Sequence, residues 1–238
     1  MYSIKMQQTE LFNEHKEVTP LDTAGYFLND TKQKLSALPD LSILFELSVD
    51  AYYTAIFAVM SELPIRDEIF HFVEKVRSAV DRKEADKAAS DRGDPEILAV
   101  LKAAYKVQHE IHRLTGLLRF SPDRNGVYIA RCSPDHFILP ALADHFTLRF
   151  GETPWAIIDE KRRYCLCRDR GGEVRIVPAA PDLISAPGFS TDNPEPSDSW
   201  EELWRLYHRS VNNEGKKNLR LQRQFMPERY HKYLPEMN

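Results

Sequence analysis

The stretches VQHEIHRLTGLLRF at residues 107–120 and GVYIARCSPDHF at residues 126–137 mark a change of pattern along the chain. Before them, apolar residues recur every three or four positions, which is typical of helices. After them, short strand-like runs flank the Asn125-Gly126 pair, and such a pair is a strong hairpin signal. The two stretches therefore predict an α+β protein, in which a helical N-terminal half precedes a small antiparallel sheet with packed helices.

Helix boundaries in the first half are indicated by capping residues and prolines. A helix is predicted from residues 22–23 to about residue 38, and another from Asp94, where Pro95 occupies the first turn. A third helix is predicted between them, with one apolar stripe facing the core. Its members are Phe45, Val49, Tyr52, Ile56, Val59 and Leu63. The charged stretch at 81–93 is predicted to be a loop or a frayed helix end.

Strands are predicted at 117–120, 127–130, 155–158, 164–167 and 174–177, with a helix ending near Phe150 between the second and third. The chain divides into a helical region at 1–93, an α+β core with the polar cluster at 94–178, and a last region at 179–238. That last region combines an irregular, proline-rich segment at 178–199 with basic C-terminal helices. We expect the three regions to form one integrated domain.

The composition is typical of a globular protein, with 238 residues, 42% hydrophobic and 29% charged. No apolar run approaches the roughly 18 residues of a membrane helix, and the first residues lack the apolar core of a signal peptide. Three cysteines make no even disulfide framework. Cys165 and Cys167 are interpreted as small core residues, since their spacing is not that of a C-x-x-C motif. A cytoplasmic protein is the resulting expectation.

Charge is distributed unevenly. Residues 1–100 hold 11 Lys/Arg against 18 Asp/Glu, and residues 101–238 hold 21 against 18. The stretch at 205–232 holds eight basic residues against Glu214 and Glu228, and aromatic residues are interleaved with them. This combination suits a phosphate backbone with stacked bases. The alternative is a solvated helix face with aromatic residues docked on the core.

Histidines, acids and arginines recur in the second half beside predicted strands and helix ends. Four of these residues are candidates for acid–base catalysis: Glu110, His112, His136 and His145. His109 and His112 share a helix face at a metal-ligand spacing, but no third ligand has a fixed spacing to them, so no metal and no cofactor is expected. The alternatives are a polar helix face that locks onto the sheet and a histidine that donates to a carbonyl.

Arginine and lysine side chains in the same half are candidates for binding anions or nucleic acid, because guanidinium groups bind phosphate bidentately. These candidates are Arg113, Arg119, Arg149, Arg163, Lys217, Arg220, Arg223 and Arg229.

The chain resembles a bacterial family associated with DNA metabolism or DNA repair. The resemblance is carried by E-x-H-R-L-x-G-x-x-R-F at 110–120, D-H-F-x-x-R-F at 144–150, W-A-I-I-D-E-x-R at 155–162 and K-N-x-R-L-Q-R-Q-F-M-P-x-R-Y at 217–230. It implies a gene neighbour of the radical-SAM class and, in some bacteria, fusion to a uracil-DNA glycosylase. The family's polar signature falls on Glu110, His112, Arg113, Arg119, Tyr128, His136, His145, Arg149, Trp155, Asp159, Arg163, Asn218, Arg220, Gln222 and Arg229.

Three functions remain open at this point. The first is an accessory protein of DNA repair that binds DNA or a nucleotide and works with a radical-SAM partner. The second is an acid–base enzyme that acts on a nucleobase or a phosphodiester, which requires its candidate residues to meet in one cleft. The third is an adaptor without nucleic-acid binding, whose acidic helical half docks a protein.

Overall fold

The computed structural model describes residues 41–123, 125–179, 202, 206–207, 209–210 and 218–237, without the side chains of residues 219, 223, 224 and 236. The predicted helix at 22–38, most of the irregular segment at 178–199, all of Lys217 and the side chain of Arg223 lie outside this description.

The described chain begins with five helices. They are α1 (Ser42–Leu47), α2 (Val49–Met60), α3 (Arg66–Arg77), α4 (Arg82–Ala89) and α5 (Pro95–Leu117). The predicted stripe is confirmed at Tyr52, Ile56 and Val59, which pack in the core. It is wrong at its start, because Ser48 interrupts the helix and caps α2 by accepting the N–H of Ala51. Phe45 and Val49 are consequently each 40% exposed, and alanines of α2 face the core together with Tyr52.

Helix α4 occupies Arg82–Ala89 of the charged stretch at 81–93, where a loop or a frayed helix end is predicted. Asp81 caps it by accepting the N–H of Glu84 at 2.8 Å, and this cap satisfies one of the first free donors of the helix. Ala85 and Ala89 are its buried residues. Such small side chains carry little hydrophobic signal, which explains why the charged sequence did not indicate a helix there.

Helix α5 begins as predicted and joins two cores. Asp94 accepts the N–H groups of Glu96 and Ile97, and Pro95 lies in the first turn. The first half of α5 packs with α2 and α3 around residues such as Phe72, and its second half packs against the sheet through Leu114. The long helix therefore connects the helical part of the protein to the sheet.

The sheet has five strands in the order β1 (Ser121–Pro122), β2 (Tyr128–Cys132), β3 (Trp155–Asp159), β4 (Tyr164–Arg168) and β5 (Val174–Pro178). Strands β2 and β3 are parallel, because helix α6 (Leu139–Phe150) returns the chain between them, and the other neighbouring pairs are antiparallel. The α+β class is confirmed, but the sheet is mixed and not purely antiparallel. The predicted first strand at 117–120 is shifted to 121–122, since Leu117 still belongs to α5.

Both faces of the central strand β3 are buried. Trp155 and Ile157 of β3 face the core formed with α5 and α6, and the alternate residues Ala156 and Ile158 belong to a smaller cluster on the opposite face.

The C-terminal part contains α7 (Leu219–Phe225) and two 3-10 helices, Glu228–Tyr233 and Pro235–Met237. No helix among the described residues is long and apolar enough to cross a membrane.

Candidate functional site

A polar cluster lies where the two parallel strands end. Strands β2 and β3 run in the same direction, so the segment at 133–138 after β2 and the turn at 160–163 after β3 lie at the same edge of the sheet. In open α/β sheets the carboxyl ends of parallel strands are a common position for ligand sites. The 3-10 helix Glu228–Tyr233 contacts β2 there, so the C-terminal segment also contributes residues to this edge.

Glu110 of α5 is the buried acceptor at the centre of this edge, with 2% of its surface exposed. Its Oε1 accepts the backbone N–H of Asp135 at 2.8 Å, and its Oε2 accepts the N–H of His136 at 2.8 Å. Oε1 also accepts the hydroxyl of Tyr230 at 2.6 Å and Nη2 of Arg229 at 3.2 Å. A carboxylate offers about four acceptor positions, so four donors nearly saturate Glu110.

Arg229 closes the cluster from the C-terminal side. Its Nη2 lies 2.7 Å from the carboxylate of Asp135, and its guanidinium carbon lies 4.7 Å from the centre of the Tyr230 ring. Burial raises the pKa of Tyr230, and the hydrogen bond to Glu110 raises it further, so the phenol stays a neutral donor. The geometry therefore gives Glu110 the role of an anchor that holds the segment at 133–138 and the C-terminal segment together.

Arg162 holds the same edge from the turn after β3. Its Nε donates to Glu62 at 2.6 Å and its Nη1 donates to Asp159 at 2.7 Å. The guanidinium also donates to the carbonyl oxygens of Pro134 and Asp135, at 3.1 and 2.7 Å. Asp159 is fully buried, and its burial raises its pKa although Arg162 acts to lower it. Arg162 thus compensates a buried carboxylate and ties it to the segment at 133–138.

Glu160 gives the C-terminal segment a second attachment. It accepts the Tyr233 hydroxyl at 2.7 Å and Lys232 Nζ at 3.1 Å. Burial acts to raise the pKa of Glu160, but the hydrogen bonds from Tyr233 and Lys232 outweigh it, and the pKa is lowered. Glu160 is consequently ionised at neutral pH and holds these two donors.

The four candidate catalytic residues occupy different surroundings. Glu110 and His136 meet through the His136 backbone, and Nδ1 of the His136 ring is buried with no hydrogen-bond partner in the described structure. His112 is exposed on α5, and His145 lies half-buried on α6 against Phe146. The structure therefore brings together two of the four residues, and the catalytic role of the set stays a prediction.

The half-buried or buried histidines predict a pH dependence of stability. Burial lowers the pKa of His136 and of His145, and Arg149 lowers that of His145 further. A histidine with a depressed pKa in the folded state takes up a proton more readily in the unfolded chain. Acidification therefore favours the unfolded chain and lowers the free energy of unfolding. We expect the free energy of unfolding to fall as the pH drops below about 6.5.

This expectation can be measured by urea unfolding at intervals between pH 7 and 5.5. In the His136→Gln and His145→Gln variants, the free energy of unfolding should change less with pH than in the wild-type chain. A free energy of unfolding that stays constant or rises over this interval would contradict the assignment.

The candidate cations also lie in different surroundings. Arg149, Arg163, Arg220 and Arg229 are exposed, and Arg113 and Arg119 are half-buried. Arg119 donates to the carbonyl of Gly116 at 2.9 Å, which holds it on the end of α5. The sequence analysis selected Arg163 as the anion-binding candidate and not Arg162. In the structure, Arg162 is the residue whose side chain bonds Glu62 and Asp159. Its position three residues after Asp159 was the signal that was missed.

Arg163 has a left-handed backbone, with a φ of 59°. Its N–H donates to the carbonyl of Asp159 at 2.8 Å, and its own carbonyl accepts the N–H of Ala179 at 2.8 Å. A non-glycine residue in this conformation costs roughly 1–2 kcal/mol. We expect Arg163→Gly to be up to about 1 kcal/mol more stable than the wild type, because part of the relief is offset by the greater freedom of unfolded glycine.

Arg163→Val is the matched variant, since it also removes the side chain but disfavours the left-handed region. In thermal unfolding it should be less stable than Arg163→Gly by about 1–2 kcal/mol or more. Equal stability of the two variants would show that the backbone at residue 163 is not constrained in this way.

Among the described residues, no group of three or more histidine, cysteine, aspartate or glutamate side chains has the arrangement of a metal site. The fold and the cluster define an α+β protein whose C-terminal segment is attached to the carboxyl edge of a mixed sheet by buried carboxylates.

The family described as Domain of unknown function (DUF4130) matches residues 65–236. Because this match covers most of the chain, the protein belongs to that family. No curated protein and no solved structure matches the chain significantly.

Proposed function

We propose that the chain is a cytoplasmic accessory protein of bacterial DNA repair or DNA metabolism. It binds nucleic acid or a nucleotide through its C-terminal half and works with a radical-SAM partner. The sequence resemblance supports the biological setting, and the partner follows from the gene neighbour that the resemblance implies. The observation that carries the binding proposal is the arrangement of the C-terminal segment at 218–237.

This segment combines exposed binding groups with buried attachments. Arg220 is exposed on α7, and Leu221 and Phe225 on the same helix are 50% and 60% exposed. The following 3-10 helix is fixed to Glu110 through Tyr230 and Arg229. Lys232 in the same 3-10 helix pairs with Glu160, and its side chain is 61% exposed. The attachments hold the 3-10 helix with Lys232 at a defined position on the surface, and helix α7 with Arg220 and Phe225 directly precedes it along the chain.

These groups have the chemistry that nucleic acids require. Lysine and arginine neutralise phosphates and release counterions, which gives affinity that decreases with salt. An exposed aromatic ring stacks on unpaired bases and contributes roughly 1–3 kcal/mol per base. The segment therefore supports binding to a phosphate backbone with accessible bases.

Fluorescence anisotropy with labelled single- and double-stranded DNA, at low and near-physiological salt, tests the proposal. We expect binding that weakens with salt. The double variant Arg220→Glu/Arg223→Glu should lower the affinity by about tenfold or more, and its slope of log affinity against log salt concentration should be shallower by about 1–2. The matched control is Lys83→Glu/Lys87→Glu, which changes the charge equally on exposed positions of α4. This control should retain the wild-type affinity to within the general effect of net charge.

Equal affinities and slopes for the two double variants would exclude the C-terminal segment as the binding site. No binding by the wild-type chain at low salt would favour the adaptor. In that case, changing exposed residues of α3 should abolish association with the radical-SAM protein.

One observation favours the acid–base enzyme as a second candidate. His136 is only 8% exposed, its ring Nδ1 lacks a hydrogen-bond partner in the described structure, and its backbone N–H donates to Glu110. Burial lowers the pKa of His136, so the neutral imidazole that a general base requires is present at pH 7. A nucleotide that binds at this ring should shift its NMR signals, whereas unchanged signals at saturating nucleotide would contradict the enzyme reading.

A further inference from the structure

The outward side of helix α5 carries positive charge and no negative charge. Between residues 97 and 117 the only acid is Glu110, and its side chain is buried. Residues three and four positions apart lie on one side of a helix, and one such side of α5 is exposed or half-buried along its length. We call this side the α5 face. Its polar and aromatic members are Lys102, Tyr105, Lys106, His109, His112 and Arg113.

Neighbouring helices of the same chain show the usual pattern of a solvated surface. On α3, Glu74 lies 3.5 Å from Arg77, and opposite charges one turn apart stabilise a helix. The exposed residues of α4 also carry both signs, and they are Arg82, Lys83, Glu84, Asp86 and Lys87. On the α5 face, by contrast, Lys102 and Lys106 are like charges four positions apart, which slightly destabilises a helix. An anionic partner would offset this repulsion.

An aromatic pair lies between the cations of the α5 face. The ring centres of Tyr105 and His109 are 4.3 Å apart, and Tyr105 is 60% exposed. Burial lowers the pKa of His109, and Arg113 and His112 lower it further, so this imidazole is mainly neutral at pH 7. The pair therefore presents an uncharged aromatic surface with positive charge on both sides of it along the helix.

The α5 face is continuous with the attachment of the C-terminal segment. Lys106 precedes Glu110 by four residues and Arg113 follows it by three, so the three residues are neighbours on one side of α5. Glu110 in turn accepts the Tyr230 hydroxyl at 2.6 Å and Arg229 Nη2 at 3.2 Å. The buried carboxylate thus joins the 3-10 helix of the C-terminal segment to the edge of the α5 face.

We propose that the α5 face binds single-stranded nucleic acid, as one surface with the C-terminal segment at 218–237. This inference rests on the function proposed above, and it adds the strandedness of the ligand and a second part of the surface. The lysines and Arg113 neutralise phosphates, while an unpaired base stacks on Tyr105. From residue 102 to residue 113 an α-helix rises about 16 Å, which corresponds to about five phosphates at the roughly 3.4 Å per-strand spacing of B-DNA.

A protein partner fits the α5 face less well. The core of a protein–protein interface is depleted in lysine and contains tightly packed apolar side chains. Tyr105 is the one large apolar side chain that the described helix α5 exposes, and lysines lie next to it. The combination of flexible cations with a single exposed ring is the one that binds a phosphate backbone with accessible bases.

Fluorescence anisotropy of the full chain with labelled single- and double-stranded DNA tests the charge of the α5 face. Lys102→Gln/Lys106→Gln should weaken binding to both by about tenfold, and the slope of log affinity against log salt concentration should be shallower by about 1–2. The matched control is Lys83→Gln/Lys87→Gln, which removes two exposed lysines at the same spacing on α4. It should retain the wild-type affinity to within the general effect of net charge.

Tyr105→Ala tests the stacking role separately. It should weaken binding to single-stranded DNA by about tenfold without changing the salt slope, because the lost contact is not electrostatic. Binding to double-stranded DNA should not change, since paired bases do not offer their faces to the ring. Tyr105→Phe keeps the ring and should retain the wild-type affinity for both forms.

Three results would contradict the inference, and they differ in what else they exclude. If Lys102→Gln/Lys106→Gln behaves like its control while Arg220→Glu/Arg223→Glu weakens binding, the α5 face is excluded and the proposed function stands. If Tyr105→Ala weakens binding to both forms of DNA equally, or to neither, the assignment to single strands is wrong. If the wild-type chain binds no DNA at low salt, the inference and the nucleic-acid function fail together.

Discussion

Replacing Arg162 by methionine is expected to lower the free energy of unfolding by about 3–5 kcal/mol. Arg162 donates to Glu62, to Asp159 and to the carbonyl oxygens of Pro134 and Asp135. Asp159 is fully buried, so the variant leaves it without its cationic partner. Breaking a buried ion pair from one side costs far more than losing an exposed pair, because the remaining charge is desolvated and uncompensated.

Urea unfolding at pH 7 measures this loss, and Arg77→Met is the matched control. Arg77 is 56% exposed and pairs with Glu74 at 3.5 Å, one helical turn away, so its replacement should cost less than about 0.5 kcal/mol. Arg162→Met/Asp159→Asn should be more stable than the sum of the two single changes predicts, because the double variant has no buried charge at residue 159.

Acidification supplies a second check on Arg162→Met. The pKa of Asp159 is already raised by burial, and losing Arg162 removes an interaction that lowers it. A carboxyl group with a raised folded pKa binds protons more readily in the folded chain, so folding is favoured as the pH falls. The stability deficit of Arg162→Met should therefore narrow between pH 7 and about 5. A deficit below about 1 kcal/mol, or one independent of pH, would contradict the role of Arg162.

Glu110→Gln is expected to have the second largest effect, a loss of about 2–4 kcal/mol. Both oxygens of Glu110 accept donors, from the backbones of Asp135 and His136 and from Tyr230 and Arg229. Glutamine replaces one acceptor with a donor, so at least one buried N–H or O–H group faces an N–H group. Each unsatisfied buried group costs about 1–3 kcal/mol, and Arg229 also loses the charge of its partner.

The loss should be accompanied by a local change that a general destabilisation would not produce. Hydrogen exchange of the Asp135 and His136 amides and of residues 228–234 should accelerate in Glu110→Gln before the rest of the chain is affected. Glu46→Gln makes the same chemical change at an exposed position of α1 and should alter neither stability nor exchange appreciably. Unchanged exchange at residues 228–234 in Glu110→Gln would show that another contact holds the C-terminal segment.

Local signals predicted those parts of the fold that local interactions determine. The start of α5 follows from Asp94 and Pro95, and the last three strands follow from their apolar runs. The parallel pairing of β2 with β3 could not be predicted in this way, since it depends on how α6 packs across the sheet. Helix α4 was missed for a different reason, because its core contacts are two alanines.

The candidate site was likewise predictable only in part: the sequence indicated which residue types it contains, but not which residues they bond. Residue types placed Glu110 and His136 in one candidate set with His112 and His145, but the sequence did not show that only the first two lie together. It also did not show that Glu110 accepts from Tyr230 and Arg229, about 120 positions away. Adjacent arginines at 162 and 163 have identical chemistry. Only the turn geometry directs Arg162 toward Asp159 and exposes Arg163.

Hydrogen exchange of the wild-type chain with and without saturating single-stranded DNA tests most directly where nucleic acid binds. The proposal predicts that amides in the segment at 218–237 gain protection on addition of DNA, while helices α3 and α4 exchange at unchanged rates. Protection confined to α3 and α4, or no protection at any position, would contradict the assignment of the C-terminal segment as the nucleic-acid site.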